Sequence, residues 1–158
     1  MKDYEQFEEQ RLKHLEMIQA VVGRLAGNSF IVKGWAVTVA GAFSGLALNA
    51  REPWLAAVGI VTTFFFWALD CHFLRSERLF RVLYEQVRRS DEDVTPFYLG
   101  ATAPAFVRRV KTGETVSARA AASWLRTALR GTLVLLYGAL AAVSVVVAVI
   151  AASLPLAT

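Results

Sequence analysis

The chain has 158 residues, 56% of them hydrophobic, and a mean hydropathy of +0.44, which is too apolar for a soluble domain of this length and points to an integral membrane protein. Seventeen Lys and Arg against 13 Asp and Glu leave a formal charge of +4. That balance suits an anionic partner but also arises from topology alone, because basic residues collect beside spans on the cytosolic side. The single cysteine, Cys71, excludes an intrachain disulfide.

Residues 4–25 predict an amphipathic helix. Glu5, Glu8, Glu9 and Glu16 alternate with Arg11 and Lys13, and Leu15, Ile18, Val22 and Leu25 fall on one helical face. The charged opening and the late start of the first apolar run, at Phe30, predict no signal peptide. Gly27-Asn28-Ser29 predicts a stop or bend, with Ser29 as cap of the next helix.

Two apolar segments follow, Phe30 to Asn49 and Trp54 to Leu74, joined by Ala50-Arg51-Glu52-Pro53. Each approaches the ~20 residues with which a helix crosses a bilayer, so together they predict a membrane hairpin. In the first span Gly34, Thr38, Gly41, Gly45 and Asn49 recur at helical spacing and form one small, weakly polar face. Such a face suits close helix packing, as in a G-x-x-x-G pair, or the lining of a water-filled path in an assembly of several copies. In the second span Phe64, Phe65, Phe66 and Trp67 cover the helix circumference. Phe66 shares the face of Asp70, Thr63 and Gly59, where a ring of phenylalanines from several copies would form a dewetting constriction; the alternative is packing and lipid contact.

Lys33 and Asp70 are the ionisable residues inside this hairpin, equidistant from its midpoint between 51 and 52. Antiparallel helices of equal rise place them at one depth, near the end away from the turn. Two readings follow: an ion pair that offsets the cost of charge in lipid, or a Lys33 that snorkels to headgroups while Asp70 stays wet.

Beyond Leu74 the helical pattern continues to about Ser90, with Leu79, Leu83 and Val87 on one side and i,i+4 pairs Glu77 with Arg81 and Glu85 with Arg89. This apolar stripe and that of the N-terminal helix predict a packed pair outside the membrane. Asp91 to Gly113 reads as a folded loop with a short helix near Ala105 to Lys111; the acids Asp91, Glu92 and Asp93 read as a solvated stop. From Ser117 a third long helix is expected, amphipathic through Arg119, Arg126 and Arg130 and continuous with the uncharged span Thr132 to Leu154.

Eleven Lys and Arg lie between Arg75 and Arg130, four in the N-terminal segment and one in the hairpin turn. The positive-inside rule then places the N-terminus and the middle region in the cytosol, and the turn and the C-terminus outside. The resulting division is 1–29 as a cytosolic helix, 30–74 as the hairpin, 75–130 as a basic cytosolic region and 131–158 as the third span and tail. The fold class is all-α.

No nucleophile elbow, phosphate loop, H-E-x-x-H or paired-Cys motif occurs, and His14 and His72 lack partners for catalysis or metal binding in sequence. The chain therefore does not read as an enzyme, and no cofactor or metal is expected. Arg75, Arg78, Arg88, Arg89, Arg108, Arg109 and Lys111, with aromatics such as Tyr98 nearby, form a candidate surface for an anionic oligonucleotide. The same mixture also suits anchoring to lipid headgroups.

Three stretches carry a resemblance: Leu15-Glu16-Met17-Ile18-Gln19; Asn28-Ser29-Phe30 with Lys33-Gly34-Trp35-Ala36-Val37-Thr38; and Trp67-Ala68-Leu69-Asp70 followed by Arg75-x-Glu77-Arg78-Leu79-Phe80-Arg81. Over about residues 4–90 the pattern resembles small bacterial membrane effectors of anti-phage defence loci, most closely the membrane subunit of Hailong-type systems. That resemblance implies a homo-oligomer, a tetramer among its candidate forms, with ion-channel-like activity. It also implies a partner nucleotidyltransferase, whose single-stranded DNA product holds the channel closed until infection releases it to depolarise the membrane. A non-conducting adaptor that recruits a cytosolic protein is the competing class.

Overall fold

A computed structural model describes residues 2–89, 97–112 and 123–153. They form five helices: α1 (Lys2–Ala50), α2 (Pro53–Arg88), α3 (Pro104–Thr112), α4 (Trp124–Ala128) and α5 (Gly131–Ser153). Among the described residues there is no strand, and α1, α2 and α5 are long and apolar enough to cross a membrane.

The stop expected at Gly27-Asn28-Ser29 does not occur: α1 runs through it without interruption. An interior glycine costs a helix only about 1 kcal/mol relative to alanine, and Leu25-Ala26 before it and Phe30-Ile31 after it support the helix on both sides. Ser29, the expected cap, sits mid-helix instead.

The helix does end at the hairpin turn. Arg51 adopts a positive φ of 58°, and the Glu52 amide donates to the Ala47 carbonyl at 3.1 Å, the closure of a Schellman motif. The next helix starts at once, because Glu52 also offers its carbonyl to the Leu55 amide at 3.2 Å. Pro53 occupies the first helical position, where its missing N–H leaves no bond unmade.

A second departure lies before the last span. The continuous helix expected from Ser117 is broken at Leu129-Arg130. Ser123 starts α4, its carbonyl accepting the Thr127 amide at 3.3 Å and its hydroxyl the Arg126 amide at 3.4 Å. Arg130 starts α5, its carbonyl accepting from Leu133 and Val134, both at 2.9 Å. Gly131 weakens helix propensity at that junction. The expectations for Asp91 to Pro96, Gly113, Ser117, Arg119 and Leu154 fall outside the described residues.

The chain divides into two compact units, Met1–Asn28 with His72–Thr127, and Ser29–Cys71 with Ala128–Thr158. This grouping pairs the N-terminal helix with the middle region, and the hairpin with the third span. In the first unit Ile18 of α1 packs with Leu79, Leu83 and Val87 of α2 and with Phe106 and Val110 of α3. The two apolar stripes thus cover each other, and α3 closes the cluster. The His14 ring, buried, donates from Nε2 to the Tyr98 carbonyl at 2.9 Å and fastens the loop ahead of α3 to α1.

In the second unit the inner faces are built from small residues. Ala47, Ala56 and Val147 form one apolar cluster. Gly59 is the close-approach position: a Cβ there would stand 3.2 Å from Phe43 Cβ.

Candidate functional site

Charge buried inside apolar helices is costly and is retained where it is paired. In the second unit Asp70 of α2 is fully buried, while the Lys33 side chain of α1 is 29% exposed. Lys33 Nζ lies 2.7 Å from Asp70 Oδ2 and 2.9 Å from Oδ1. Of the two sequence readings, this geometry is the ion pair.

The pair does not stand alone. Ser29, one turn before Lys33, donates its hydroxyl to Asp70 Oδ1 in a short hydrogen bond and accepts from Lys33 Nζ at 2.6 Å. Tyr137 of α5 donates its hydroxyl to Asp70 Oδ2 at 3.0 Å. One carboxylate thus takes an ammonium and two hydroxyls from two other helices. Both its oxygens are occupied by donors to its charged form, the condition under which a buried carboxylate is tolerated. The node can do two things chemically: hold three spans at one level, and register any movement that separates Lys33 or Tyr137 from Asp70.

Sequence reasoning found Lys33 and Asp70 by depth, read Ser29 as a cap and did not select Tyr137. The sequence marks Tyr137 only as the one phenol of α5, two turns from its start, and does not give the direction it faces.

No family model, curated protein or solved structure matches this chain.

The small face of the first span lies apart from the node. Gly34, Thr38, Gly41, Gly45 and Asn49 are all exposed, and among the described residues no atom lies within 4 Å of the place a Cβ would take at Gly34, Gly41 or Gly45. Thr38 returns its hydroxyl to the Gly34 carbonyl at 3.0 Å. Within one chain the close helix approach falls at Gly59 and leaves the glycine face open. Phe66 is half-buried, meeting Phe65 edge to face at 6.2 Å, whereas Phe64 and Phe65 are exposed.

The candidate basic residues are partly engaged. Arg88 and Arg89 both pair with Glu85, each at 2.8 Å, and Arg81 pairs with Glu77 at 2.7 Å. Hydrogen bonds from Arg88 and Arg89 pull the Glu85 carboxyl down to about 2, and the same contact raises Arg88. Arg78 donates to Thr127 Oγ1 at 3.0 Å. Arg108 and Arg109 are exposed on α3, which also carries Lys111; Arg75 is half-buried on α2. These residues all belong to the first unit.

Proposed function

We propose that this chain is a membrane effector of bacterial anti-phage defence that assembles as a cyclic homo-oligomer in the inner membrane and conducts ions under control of an anionic nucleotide or single-stranded DNA. The observation that carries the reading is a face of small residues on α1 left open by the chain's own packing, while the charged node is closed inward. Helices in lipid associate through small residues that admit close approach, so this face suits a second copy.

In this reading the N-terminus and the basic region lie in the cytosol, as the excess of Lys and Arg there favours. Cyclic symmetry repeats Arg75, Arg78, Arg88, Arg89, Arg108, Arg109 and Lys111 around one axis and concentrates positive potential on the ligand side. Gating requires the ligand to favour one arrangement of the spans, since a ligand with equal affinity for both shifts nothing. Helices α1 and α2 carry residues of both units and give that preference a covalent route.

A membrane-potential dye during induced expression tests the reading. Depolarisation that a bulky change at Gly41 abolishes supports a conducting assembly; a membrane that stays polarised at full expression rejects it in favour of the adaptor. The adaptor draws support from Phe7, Leu12 and Met17, which are large, apolar and exposed on α1. Titration of the full chain with short single-stranded DNA tests the ligand, and binding that survives charge-neutral changes at Arg108 and Arg109 rejects the basic surface.

A further inference from the structure

Between α2 and α5, within the second unit, lies an open cleft of about 170 Å³, walled by Thr63, Phe64 and Trp67 on one side and Tyr137, Gly138 and Ala141 on the other. Its two hydroxyls are turned to other partners: Thr63 donates to the Gly59 carbonyl at 2.8 Å, and Tyr137 donates to Asp70 at 3.0 Å. Phe64 and Trp67 meet edge to face at 6.4 Å and present ring surface. The space beside Gly138 is open: among the described residues no atom lies within 4 Å of where its Cβ would stand.

A guest in this cleft finds hydrocarbon walls and hydroxyls already spent. An enclosed apolar cavity of about 150 Å³ stays dry and admits apolar guests; an open apolar cleft takes up whatever apolar medium bathes it. These residues belong to helices long and apolar enough to lie in a bilayer, where the abundant guest is a lipid tail.

We propose that the cleft seats a segment of one lipid acyl chain, packed between Trp67 and Gly138. Selection is by shape, because a chain moving from bilayer to cleft exchanges one apolar medium for another and gains only packing. The occupant also touches the node: the Tyr137 ring forms part of the wall while its hydroxyl holds Asp70. A seated chain fixes that ring and with it the bond to the carboxylate. This inference needs the helices to span a membrane and is independent of whether they conduct ions.

Fluorescence of Trp67 in phosphatidylcholine vesicles tests it. In a full-length chain with Trp35→Phe, Trp54→Phe and Trp124→Phe, Trp67 is the sole indole. Lipid brominated at mid-chain is expected to quench it strongly and aqueous iodide is not. Gly138→Phe, which fills the cleft, is expected to remove most of the quenching, and Gly138→Ala only a small part. Far-UV circular dichroism checks that the variants fold; should Gly138→Phe fail, Ala141→Leu fills the same cleft from another wall and carries the same expectation. Quenching unchanged by filling, which means bulk lipid alone, overturns the proposal. So does quenching by iodide, which means a wet cleft, or insensitivity to both quenchers, which means a second copy covers it.

Discussion

Tyr137 hydrogen-bonds Asp70 on Oδ2, the carboxylate oxygen nearer Lys33, at 3.0 Å from the phenol and 2.7 Å from the ammonium. Three spans therefore meet at one fully buried carboxylate. Removing one partner of a buried pair typically costs about 3–5 kcal/mol. Lys33→Met is expected to fall in that range, because it strands Asp70 in the core. Asp70→Asn should cost less, because Lys33 is partly exposed and can turn its ammonium outward. Tyr137→Phe should lose about 1.5–3 kcal/mol, the range for a hydrogen bond to a charged group. Reversible unfolding in bicelles reads all three, and a double variant Lys33→Met with Asp70→Leu should cost less than the sum of the singles.

Glycines of one span and the next should respond oppositely. Gly59→Ala places a methyl 3.2 Å from Phe43 Cβ, an atom fixed to the backbone, so the helices must separate. A loss of about 1–3 kcal/mol in monomer stability is expected from overpacking. Gly41→Ala meets nothing among the described residues and should leave monomer stability equal or slightly raised through helix propensity. If Gly41 instead lies against another copy, Gly41→Leu should lower the association measured by cross-linking in membranes while leaving the helical circular dichroism unchanged.

At the hairpin turn Arg51 holds a positive φ of 58°, a conformation that disfavours side chains with a Cβ. Arg51→Gly should therefore stabilise the hairpin by about 0.5–1 kcal/mol, offset in part by the greater freedom of glycine in the unfolded chain. Unfolding of the full chain in bicelles checks the sign. A loss of stability would mean that Arg51 contributes a contact worth more than the strain.

Outside the apolar segments, Glu85 provides a pH marker. Hydrogen bonds from Arg88 and then Arg89 lower its carboxyl from 4.5 to about 2. A carboxylate whose folded value is depressed contributes stability that is complete above its unfolded value and is lost as pH falls through the folded one. The contribution is thus full at neutral pH and disappears between about 4.5 and 2. Carbon-13 NMR of labelled glutamate in the detergent-solubilised chain should show one carboxyl titrating near the lower limit, and Arg88→Gln should move it upward.

Much of the helical plan is legible because it rests on length and period. The apolar runs of the hairpin give two helices, and the counting argument around residues 51 and 52 puts Lys33 and Asp70 at one depth. The stripe Ile18, Leu79, Leu83 and Val87 follows from spacing. Local breakers were less readable, since their effect depends on what surrounds them. Gly27 is carried inside a helix supported on both sides, whereas the turn at Leu129-Arg130 forms where Arg130 offers its carbonyl to the next helix. The role of Tyr137 stays hidden because nothing in an Ala-, Val- and Leu-rich run states which way one phenol turns. The basic residues show the same limit: spacing offers Glu85 both Arg88 at i,i+3 and Arg89 at i,i+4, but that one carboxylate takes both depends on side-chain geometry.

The node also bears on how the protein enters the bilayer. Its opposite charges lie on the two arms of one hairpin, so the apolar segments 30–49 and 54–74, if they enter a bilayer, can do so with Lys33 and Asp70 already matched, before α5 has been synthesised. The phenol then arrives last and locks a couple already at its depth. Biogenesis on this view is ordered by chain polarity: truncation after the hairpin leaves an insertable intermediate, whereas loss of Lys33 leaves the Asp70 carboxylate unmatched at the earliest step.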